Sequence, residues 1–375
     1  MGVKKVIIVG GGVIGLSIAH HLLSRGIKSI VVERGPFAKE ASWAGAGYLD
    51  LRAAAQVGGA YFDLCRLSFD LFPPWVERIE KESGLSCELL ESGSLDLAFD
   101  DKDEEGIRAL DKKLKKHGLE GQWLTGPEVH KVEPGLSERV QAAFRLKQTR
   151  QVRPPRLTRA LLRSLQTQGV VLRELEMVQS FLAKGRTIFG VKTNKETLEA
   201  DAVVLATGAW TGLFGEKFKR VIPIKPIRGQ ALLYQSKPEF LSHILFSPLA
   251  YLVPRIDGRI YVGSTLEEVG FDKTTTSSGL ELLKRGALRA LPGLSEVLMD
   301  DSWAGLRPGS PDGWPFLGKF PDWEGVWLAA GHFTHGLLLS AATGELIAQD
   351  ILGEKPSVDL GPFVLGRRPH PSVGL

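Results

Sequence analysis

A glycine-rich turn between two apolar runs dominates the start of this chain. The run 6–9 leads into Gly10-Gly11-Gly12-Val13-Ile14-Gly15, a helical pattern follows, and a second apolar run, 30–32, ends on Glu33. This order is that of a strand–helix–strand unit with the G-x-G-x-x-G fingerprint, whose helix N-terminus offers free N–H groups to a pyrophosphate. The alternative is a plain glycine-rich turn, but strand, helix, second strand and terminal acid stand in register. The pattern therefore predicts a nucleotide site.

The residues of this fingerprint have separate tasks. Gly10 permits the tight turn, Gly12 lets the backbone approach a pyrophosphate, and Gly15 lets helix and strand pack closely. Glu33 ends the second strand, where a carboxylate accepts hydrogen bonds from both hydroxyls of a ribose. By itself this pattern fits NAD and FAD equally.

The composition is typical of a soluble two-domain enzyme. The chain has 375 residues, of which 43% are hydrophobic and 24% charged, and its formal net charge is +4. The cationic stretch 112–116 lies among apolar residues at helical spacing, which favours a solvated helix face over a nucleic-acid site. Cys65 and Cys87 form no C-x-x-C pattern, so they indicate a reducing compartment rather than disulfides or a zinc site.

The N-terminus bears on where the protein is located. Lys4-Lys5 before an apolar run resembles a secretory signal, but three glycines interrupt that run. No segment reaches the roughly 20 apolar residues of a membrane span. We therefore expect a cytoplasmic protein with no stable membrane association and no nucleic-acid partner.

Distant segments predict a sheet assembled from several parts of the chain. A buried strand is predicted at 202–206, and another at 326–330 is followed by a helix over 336–352. Alternating segments between 219 and 300 predict antiparallel strands of a second domain. The helix predicted over 61–83 contains Pro73-Pro74, which we expect to kink or split it.

Seven motifs occur in order along almost the whole chain. They are VGGGVIG at 9–15, VER at 32–34, ASWAGAGYL at 41–49, ATGAW at 206–210, YLVPR at 251–255, SWAGLRPGSPDGWPFLG at 302–318 and AAGHFTHGLLLSAATGELI at 329–347. In these motifs the chain resembles the FAD-dependent amine and amino-acid oxidoreductases of the D-amino-acid oxidase type, and among them the glycine oxidases of thiamine biosynthesis. WAGLRP followed by DGWPFLG is the most specific part of the resemblance.

The resemblance implies an α/β fold (α+β overall), with a Rossmann-like FAD-binding domain and an antiparallel-sheet substrate domain. The FAD-binding domain would be discontinuous, comprising 1–50, 150–218 and 301–353. The substrate domain would comprise 51–149 and 219–300, and 354–375 would form a C-terminal tail. A homo-oligomer, specifically a tetramer, is also implied by the resemblance and by no feature of the residues themselves.

The resemblance further implies one FAD, held without a covalent link. Relatives of the monomeric sarcosine oxidase type attach flavin to a cysteine near the C-terminus, and neither Cys65 nor Cys87 lies there. The cofactor-binding residues would be Gly10, Gly12, Val13, Ile14 and Gly15 at the pyrophosphate, Glu33, Arg34 and Val178 at the adenosine, Ala41, Ser42, Ala46, Gly47, Tyr48 and Gly208 along the flavin and phosphates, and His332, Phe333, Thr334, His335, Gly336, Leu337 and Leu338 around the pyrimidine end of the flavin.

Arg307 and Tyr251 are the candidate catalytic residues. A guanidinium grips a carboxylate with two parallel hydrogen bonds, so Arg307 would anchor the α-carboxylate of a substrate, unless it forms a structural ion pair. The resemblance places the hydroxyl of Tyr251 beside the same carboxylate, whereas its alternative role is core packing. Many relatives have arginine where this chain has Thr334, so a second cation is missing or is supplied by His335. The histidines show no metal-ligand spacing, and we expect no metal.

The implied activity is the oxidative deamination of glycine, other small amines or D-amino acids to a 2-oxo acid, ammonia or an amine, and hydrogen peroxide. Its partners would be a small amine substrate and oxygen, and it would serve thiamine thiazole synthesis. One alternative is a D-amino-acid or proline-type dehydrogenase that passes electrons to a quinone or carrier. Another is a flavoprotein retained for tRNA or assembly-factor duties, which the modest charge and the presence of Arg307 and Tyr251 disfavour. A third is NAD binding, which the small-residue loop 41–49 and the helix from 336 disfavour.

Overall fold

Two large sheets organise the computed structural model, which describes residues 3–370. Its strands are β1 (Val6–Val9), β2 (Ile30–Val32), β3 (Tyr48–Leu49), β4 (Ser94–Ala98), β5 (Gln122–Thr125), β6 (Ala142–Leu146), β7 (Arg150–Gln151), β8 (Val171–Arg173), β9 (Val178–Lys184), β10 (Thr187–Thr193), β11 (Thr197–Glu199), β12 (Ala202–Leu205), β13 (Lys225–Gln235), β14 (Ile244–Phe246), β15 (Tyr251–Pro254), β16 (Arg259–Gly263), β17 (Leu298–Gly309), β18 (Phe316–Lys319) and β19 (Val326–Ala330). Its α-helices are α1 (Val13–Leu23), α2 (Ala41–Ala44), α3 (Arg52–Val57), α4 (Gly59–Ser83), α5 (Asp101–Lys116), α6 (Gly126–Val132), α7 (Pro154–Thr167), α8 (Ser277–Ala290) and α9 (Gly336–Leu352). None of these described helices has the length and apolar character to cross a membrane.

The first sheet has six strands in the order β18-β19-β12-β1-β2-β8. Strand β1 pairs in parallel with both β2 and β12, and β18 alone runs antiparallel to its neighbour β19. Strands β1, β2, β12 and β19 are buried along their whole length, as continuous apolar runs covered on both faces require. The α/β prediction and the assembly of this sheet from distant segments are thereby confirmed.

Four helices pack against one face of this sheet and against one another. Helices α1, α4, α7 and α9 share one hydrophobic core with strands of the sheet. Helix α4 continues through Pro73 and Pro74, so the prolines do not split it, and a kink at this point stays a prediction. Phe72, Trp75 and Ile79 are buried around the prolines, and this packing holds the helix together across them.

The second sheet has eight strands in the order β17-β13-β16-β15-β14-β4-β6-β5. Its pairings are antiparallel except between β14 and β4. Strand β17 pairs with β13 over its whole length, with Ile227 opposite Arg307 and Gly229 opposite Gly305. The domain boundary predicted at residue 301 therefore falls inside a strand of this sheet. The boundary between the two sheets lies after residue 309 because residues 298–309 pair with β13 of the second sheet. Only then does the chain return to the first sheet.

The C-terminal segment is packed, in contrast to the trailing tail predicted for 354–375. Leu360, Phe363 and Leu365 are buried, and the Arg367 guanidinium lies 2.7 Å from a carboxylate oxygen of buried Asp312. Proline and glycine in this segment suggested a tail, but its apolar residues pack into the hydrophobic cores on the two faces of the first sheet. Positions 371–375 of that prediction lie outside the described residues.

Candidate functional site

The glycine turn brings three strands together at a point where no side chain fits. Gly10 has φ 112°, and a Cβ built on it would lie 2.3 Å from the carbonyl oxygen of Ala206, which follows β12. A Cβ on Gly15 would lie 2.0 Å from the carbonyl oxygen of Gly10. Both positions therefore require glycine, for the turn at Gly10 and for helix–strand packing at Gly15.

Glu33 lies beside the turn and is held by its backbone. One carboxylate oxygen accepts a hydrogen bond from Gly11 N at 2.8 Å, and the other accepts from Gly35 N at 3.0 Å. Each oxygen of an ionised carboxylate keeps a further lone pair, which is available to a sugar hydroxyl. The hydroxyl of Ser42 accepts a hydrogen bond from Val13 N at 2.9 Å. Its own proton has no hydrogen-bond acceptor among residues 3–370, so the hydroxyl can donate to a phosphate.

A cleft of about 1030 Å³, the glycine-turn cleft, opens at this edge of the first sheet. The predicted residues that line it are Gly10, Gly12, Glu33, Arg34, Ala41, Ser42, Val178 and Gly208. The cleft also has a side formed by Trp210, over whose ring the Arg34 guanidinium lies at 3.8 Å. Trp210 is part of the motif ATGAW, but the sequence-based prediction gave it no role. The signal available for it was an aromatic residue that follows a buried strand and a glycine.

A second cleft of about 820 Å³, the arginine cleft, is formed between β3, the second sheet and the start of α9. The predicted residues that line it are Ala41, Ala46, Gly47, Tyr48, Tyr251, Arg307, Thr334, His335, Leu337 and Leu338. Ala41 lines both clefts, so they adjoin at α2. The two clefts therefore form one path from the glycine turn to Arg307.

Arg307 is a half-buried cation that forms no ion pair with any carboxylate of residues 3–370. Its Nη1 donates to the carbonyl oxygen of Thr265 at 3.1 Å, and its Nη2 donates to the hydroxyl of Ser264. A Cβ on Gly229 would lie 2.1 Å from Nη1, so the guanidinium occupies space that only glycine leaves open. A cation placed at a cleft without an acidic partner suits an anionic ligand.

Tyr251 reaches the same point from β15. Its hydroxyl donates to the hydroxyl of Ser264 at 3.1 Å, so Ser264 bridges Tyr251 and Arg307. The ring of Tyr251 lies edge-on to Tyr48 at 5.1 Å and stacks on Tyr261 at 6.1 Å between centroids. Sequence reasoning missed Ser264 and Tyr261. Tyr261 lies on β16, and Ser264 directly follows it. The register of this strand with its neighbours was the signal that could have found both residues.

The start of α9 forms the remaining side of the arginine cleft. No side chain caps the backbone N–H groups of its first turn, so the positive end of the helix dipole is open. The Nδ1 of His335 lies 3.0 Å from the hydroxyl of Tyr61, and burial lowers the pKa of His335. His335 is therefore neutral near pH 7 and does not supply the cation that Thr334 lacks.

Six predicted cofactor residues line neither cleft. Three of them, Val13, Phe333 and Gly336, are next to a cleft residue in the sequence, and the other three, Ile14, Gly15 and His332, are not. His332 is buried, its Nε2 lies 3.0 Å from the hydroxyl of Thr343, and burial lowers its pKa to about 3. For these residues a role at the cofactor stays a prediction that rests on their backbone atoms.

The paired clefts fit FAD. Glycines leave room at the turn where a phosphate backbone approaches, an acid stands ready for a ribose, and an uncapped helix end and a cation lie at the far end. Cys65 and Cys87 are buried free thiols that line neither cleft. Within residues 3–370 no group of three or more His, Cys, Asp and Glu side chains is placed to hold a metal ion.

Known proteins resemble the chain over nearly its full length. It is 36% identical over 363 residues to a glycine oxidase of Pseudomonas aeruginosa, which covers 96% of this chain and 98% of the relative. It is 34% identical over 368 residues to the bifunctional protein ThiO/ThiG of Trichormus variabilis, which covers 97% of this chain but 55% of that longer protein. The crystal structure of glycine oxidase from Geobacillus kaustophilus superimposes with a TM-score of 0.93 at 30% identity, over 97% of this chain and 99% of that one.

The family model described as FAD dependent oxidoreductase (DAO) matches residues 5–350. That range contains the glycine turn, both clefts and all of α9 except its last two residues. The resemblance expected from the seven motifs is confirmed, and so is FAD as the cofactor. The chain belongs to the DAO family of FAD-dependent oxidoreductases.

Proposed function

We propose that this protein is an FAD-dependent amino-acid oxidase that deaminates glycine and other small amines or D-amino acids. The products are the 2-oxo acid, ammonia or an amine, and hydrogen peroxide. The observation that carries the proposal is the Arg307 guanidinium, which has no acidic partner among residues 3–370 and faces a cleft beside Tyr251. The similarity to a glycine oxidase over 96% of the chain supports the substrate class.

Arg307 and Tyr251 have the role of holding the substrate carboxylate. The guanidinium gives two parallel charge-assisted hydrogen bonds, and the tyrosine hydroxyl, which now donates to Ser264, adds a third donor. Tyr48, Tyr251 and Tyr261 form an aromatic side of the cleft that limits the size of the group on the α-carbon. A fixed carboxylate orients the bond at the α-carbon, which is the main catalytic contribution required of the protein.

FAD, when bound, supplies the two-electron oxidation of the carbon–nitrogen bond. Residues of the glycine-turn cleft hold its nucleotide half, and residues 41–48 with the start of α9 hold its flavin half. The open N-terminus of α9 stabilises negative charge placed beside it. No strong base from the protein is required, because a neutral amine is already able to react once its carboxylate is held.

An anaerobic titration of the flavin absorbance with glycine, sarcosine and D-alanine tests this function. We expect bleaching of the oxidised flavin spectrum by at least one of them, and peroxide formation when air is admitted. Flavin that is reduced without forming peroxide would instead favour the dehydrogenase alternative, in which a quinone or carrier takes the electrons. Flavin that stays oxidised with every small amino acid would contradict both and favour a role without catalysis.

Three further parts of the proposal concern context. The likeness to the ThiO/ThiG protein supports a place in thiamine thiazole synthesis. The two free thiols support a cytoplasmic location, which cell fractionation tests. The homotetramer implied by the family resemblance is tested by light scattering on the FAD-loaded protein.

A further inference from the structure

The arginine cleft contains a carboxylate that the proposed function does not use. Asp50 directly follows β3, is 7% exposed and lines the cleft. Among the described residues that line this cleft, Asp50 is the sole acid and Arg307 the sole permanent cation, since His335 is neutral. A substrate held by Arg307 therefore shares the cavity with one fixed negative charge.

Asp50 is fixed in place by Arg52. One carboxylate oxygen of Asp50 accepts from Arg52 N at 2.9 Å, and the other accepts from Arg52 Nη2 at 3.2 Å. The same guanidinium also donates to Asp96 and lies over the ring of Phe246 at 3.1 Å. These contacts hold the carboxylate of Asp50 in the position in which it lines the cleft.

The positive charge of Arg52 does not cancel the negative charge of Asp50. Two carboxylates, Asp50 and Asp96, share this one guanidinium, and neither has another basic partner within residues 3–370. Arg52 itself does not line the arginine cleft. Burial raises the pKa of Asp96, Arg52 opposes this rise, and the negative charge of Asp50 adds to it. The cluster therefore presents its acidic end to the cavity.

Asp50 and Arg307 act on the same space. Both charges act on the hydroxyl of Tyr48. Burial raises the pKa of Tyr48, and the neighbouring Tyr251 and Asp50 raise it further. The two cations Arg52 and Arg307 lower it. Asp50 also acts on His335, which lines the same cleft, where it opposes the fall in pKa caused by burial. A ligand that touches Arg307 consequently lies within reach of the negative charge of Asp50.

We propose that Asp50 determines specificity by excluding substrates with a second negative charge. Arg307 accepts one carboxylate, while Asp50 repels another anionic group on the amine or side chain, and Thr334 offers no cation to compensate. This inference rests on the proposed function and assigns the substrate class as amines with a single carboxylate. Rejection through a like charge is an effective way to discriminate between ligands of similar size.

The test compares two substrates that match in size and differ in charge. Iminodiacetate carries two carboxylates, and its monoamide carries one carboxylate and one neutral amide. We expect the wild-type enzyme to favour the monoamide strongly in kcat/KM. In Asp50→Asn, which keeps the shape of the side chain, that preference should fall by about tenfold or more.

Asp96→Asn is the matched control. It removes one negative charge from the same cluster, but from a residue that does not line the cleft. We expect the preference for the monoamide to change by less than about threefold in this variant. An equal loss of preference in both variants would overturn the assignment to Asp50, because only the overall charge of the cluster would then matter.

A binding measurement separates this inference from the proposed function. Methoxyacetate and malonate are non-amine ligands with one and two carboxylates, and both perturb the flavin spectrum if they bind near Arg307. We expect wild type to bind methoxyacetate more tightly and Asp50→Asn to lose most of that difference. If no amine reduces the flavin, the proposed function fails, yet this binding result still supports or overturns the role of Asp50.

A second variant guards against a folding defect. Asp50→Ser also removes the charge but does not imitate the hydrogen bonds to Arg52. If a structural change caused the loss of preference for the monoamide, the Asn and Ser variants would therefore differ in that preference. FAD content and melting temperature are measured for each. A monoamide preference and a ligand selectivity that stay at wild-type values in both FAD-loaded variants would overturn the proposal.

Discussion

Arg307 owes its position to a neighbour without a side chain. Gly229 lies opposite Gly305 in the pairing of β13 with β17, two positions from the register of Arg307. Any Cβ at Gly229 would collide with the guanidinium, whose Nη1 lies 2.1 Å from that point. The substrate-binding role proposed for Arg307 thus depends on a glycine as much as on the arginine.

Removal of Arg307 tests its role directly. We expect Arg307→Ala to raise the substrate concentration for half-maximal flavin reduction about 100-fold or more, since a charge-assisted pair of roughly 2–3 kcal/mol is lost. Anaerobic stopped-flow titration with glycine or sarcosine measures this. Arg307→Lys keeps the charge but not the two parallel bonds, so we expect an intermediate effect. Unchanged half-saturation in the alanine variant would show that another residue anchors the carboxylate.

A methyl group at position 229 should act on the same parameter. We expect Gly229→Ala to displace the guanidinium and raise the half-saturating substrate concentration about tenfold, because the added Cβ takes the place of Nη1 and weakens the charge-assisted pair with the carboxylate. FAD content should stay near that of wild type, since Gly229 does not line the glycine-turn cleft. Gly106→Ala, where no atom lies within 4 Å of the added Cβ, is the control and should change neither quantity.

At the scale of elements, helices α1, α4 and α9 meet at His20 and His21, which line neither cleft. His20 is 1% exposed, its Nε2 lies 2.8 Å from Glu82, and its Nδ1 accepts from Trp75 Nε1 at 3.2 Å. An indole N–H only donates, so Nδ1 must stay unprotonated and Nε2 carries the proton given to Glu82. The packing therefore requires neutral His20, and burial lowers its pKa to about 4.

Acid should weaken this helix junction before it affects the carboxylates. The pKa of His20 is about 4 in the folded chain and 6.5 as its ordinary value, so between these values the unfolded chain binds more protons. The free energy of unfolding should therefore fall as the pH is lowered from 6.5 towards 4, by on the order of 3 kcal/mol from this residue.

Melting temperatures of the FAD-loaded protein across pH 4–8 measure the effect. His20→Gln offers a donor and an acceptor but cannot titrate, so its melting temperature should fall less steeply below pH 6.5 than that of wild type. His332, with its pKa lowered to about 3 by burial, contributes in the same direction and accounts for a remaining slope. Parallel curves for both proteins would contradict the role of His20.

At the scale of the whole molecule, the arginine cleft lies between the second sheet and a helix that packs on the first sheet. Arg307 and Tyr251 come from β17 and β15, while Leu337 and Leu338 come from α9. The glycine-turn cleft holds the other end of the path, and the buried thiols of Cys65 and Cys87 line neither cleft. A cofactor that spans the two clefts is held by both halves of the protein and needs no covalent bond.

Denaturation should consequently release the cofactor intact. We expect acid precipitation of the purified protein to leave a colourless pellet and a yellow supernatant with the absorbance spectrum of free FAD. A covalent flavoprotein treated in parallel keeps its colour in the pellet. A yellow pellet from this protein would show a covalent link and contradict the non-covalent prediction.

Local pattern was sufficient for most elements of the fold. The strands β12 and β19 and the helix α9 lie where the apolar periodicity of 202–206, 326–330 and 336–352 predicts them. Predictions failed where tertiary contacts outweigh local preference. Packing carries α4 through two prolines, burial of Phe363 fixes a segment that reads as a tail, and pairing with β13 draws residues 298–309 into the second sheet.

The nucleotide fingerprint is readable along the chain because its parts, 10–15 and Glu33, belong to one strand–helix–strand unit. Their mutual distances are set by local geometry, which a sequence pattern records. The substrate end has a different origin. Ser264 and Gly229 meet Arg307 only through the register of separate strands, and Asp50 joins them from β3. No spacing in the sequence encodes that meeting, because long-range pairing and side-chain packing bring the residues together.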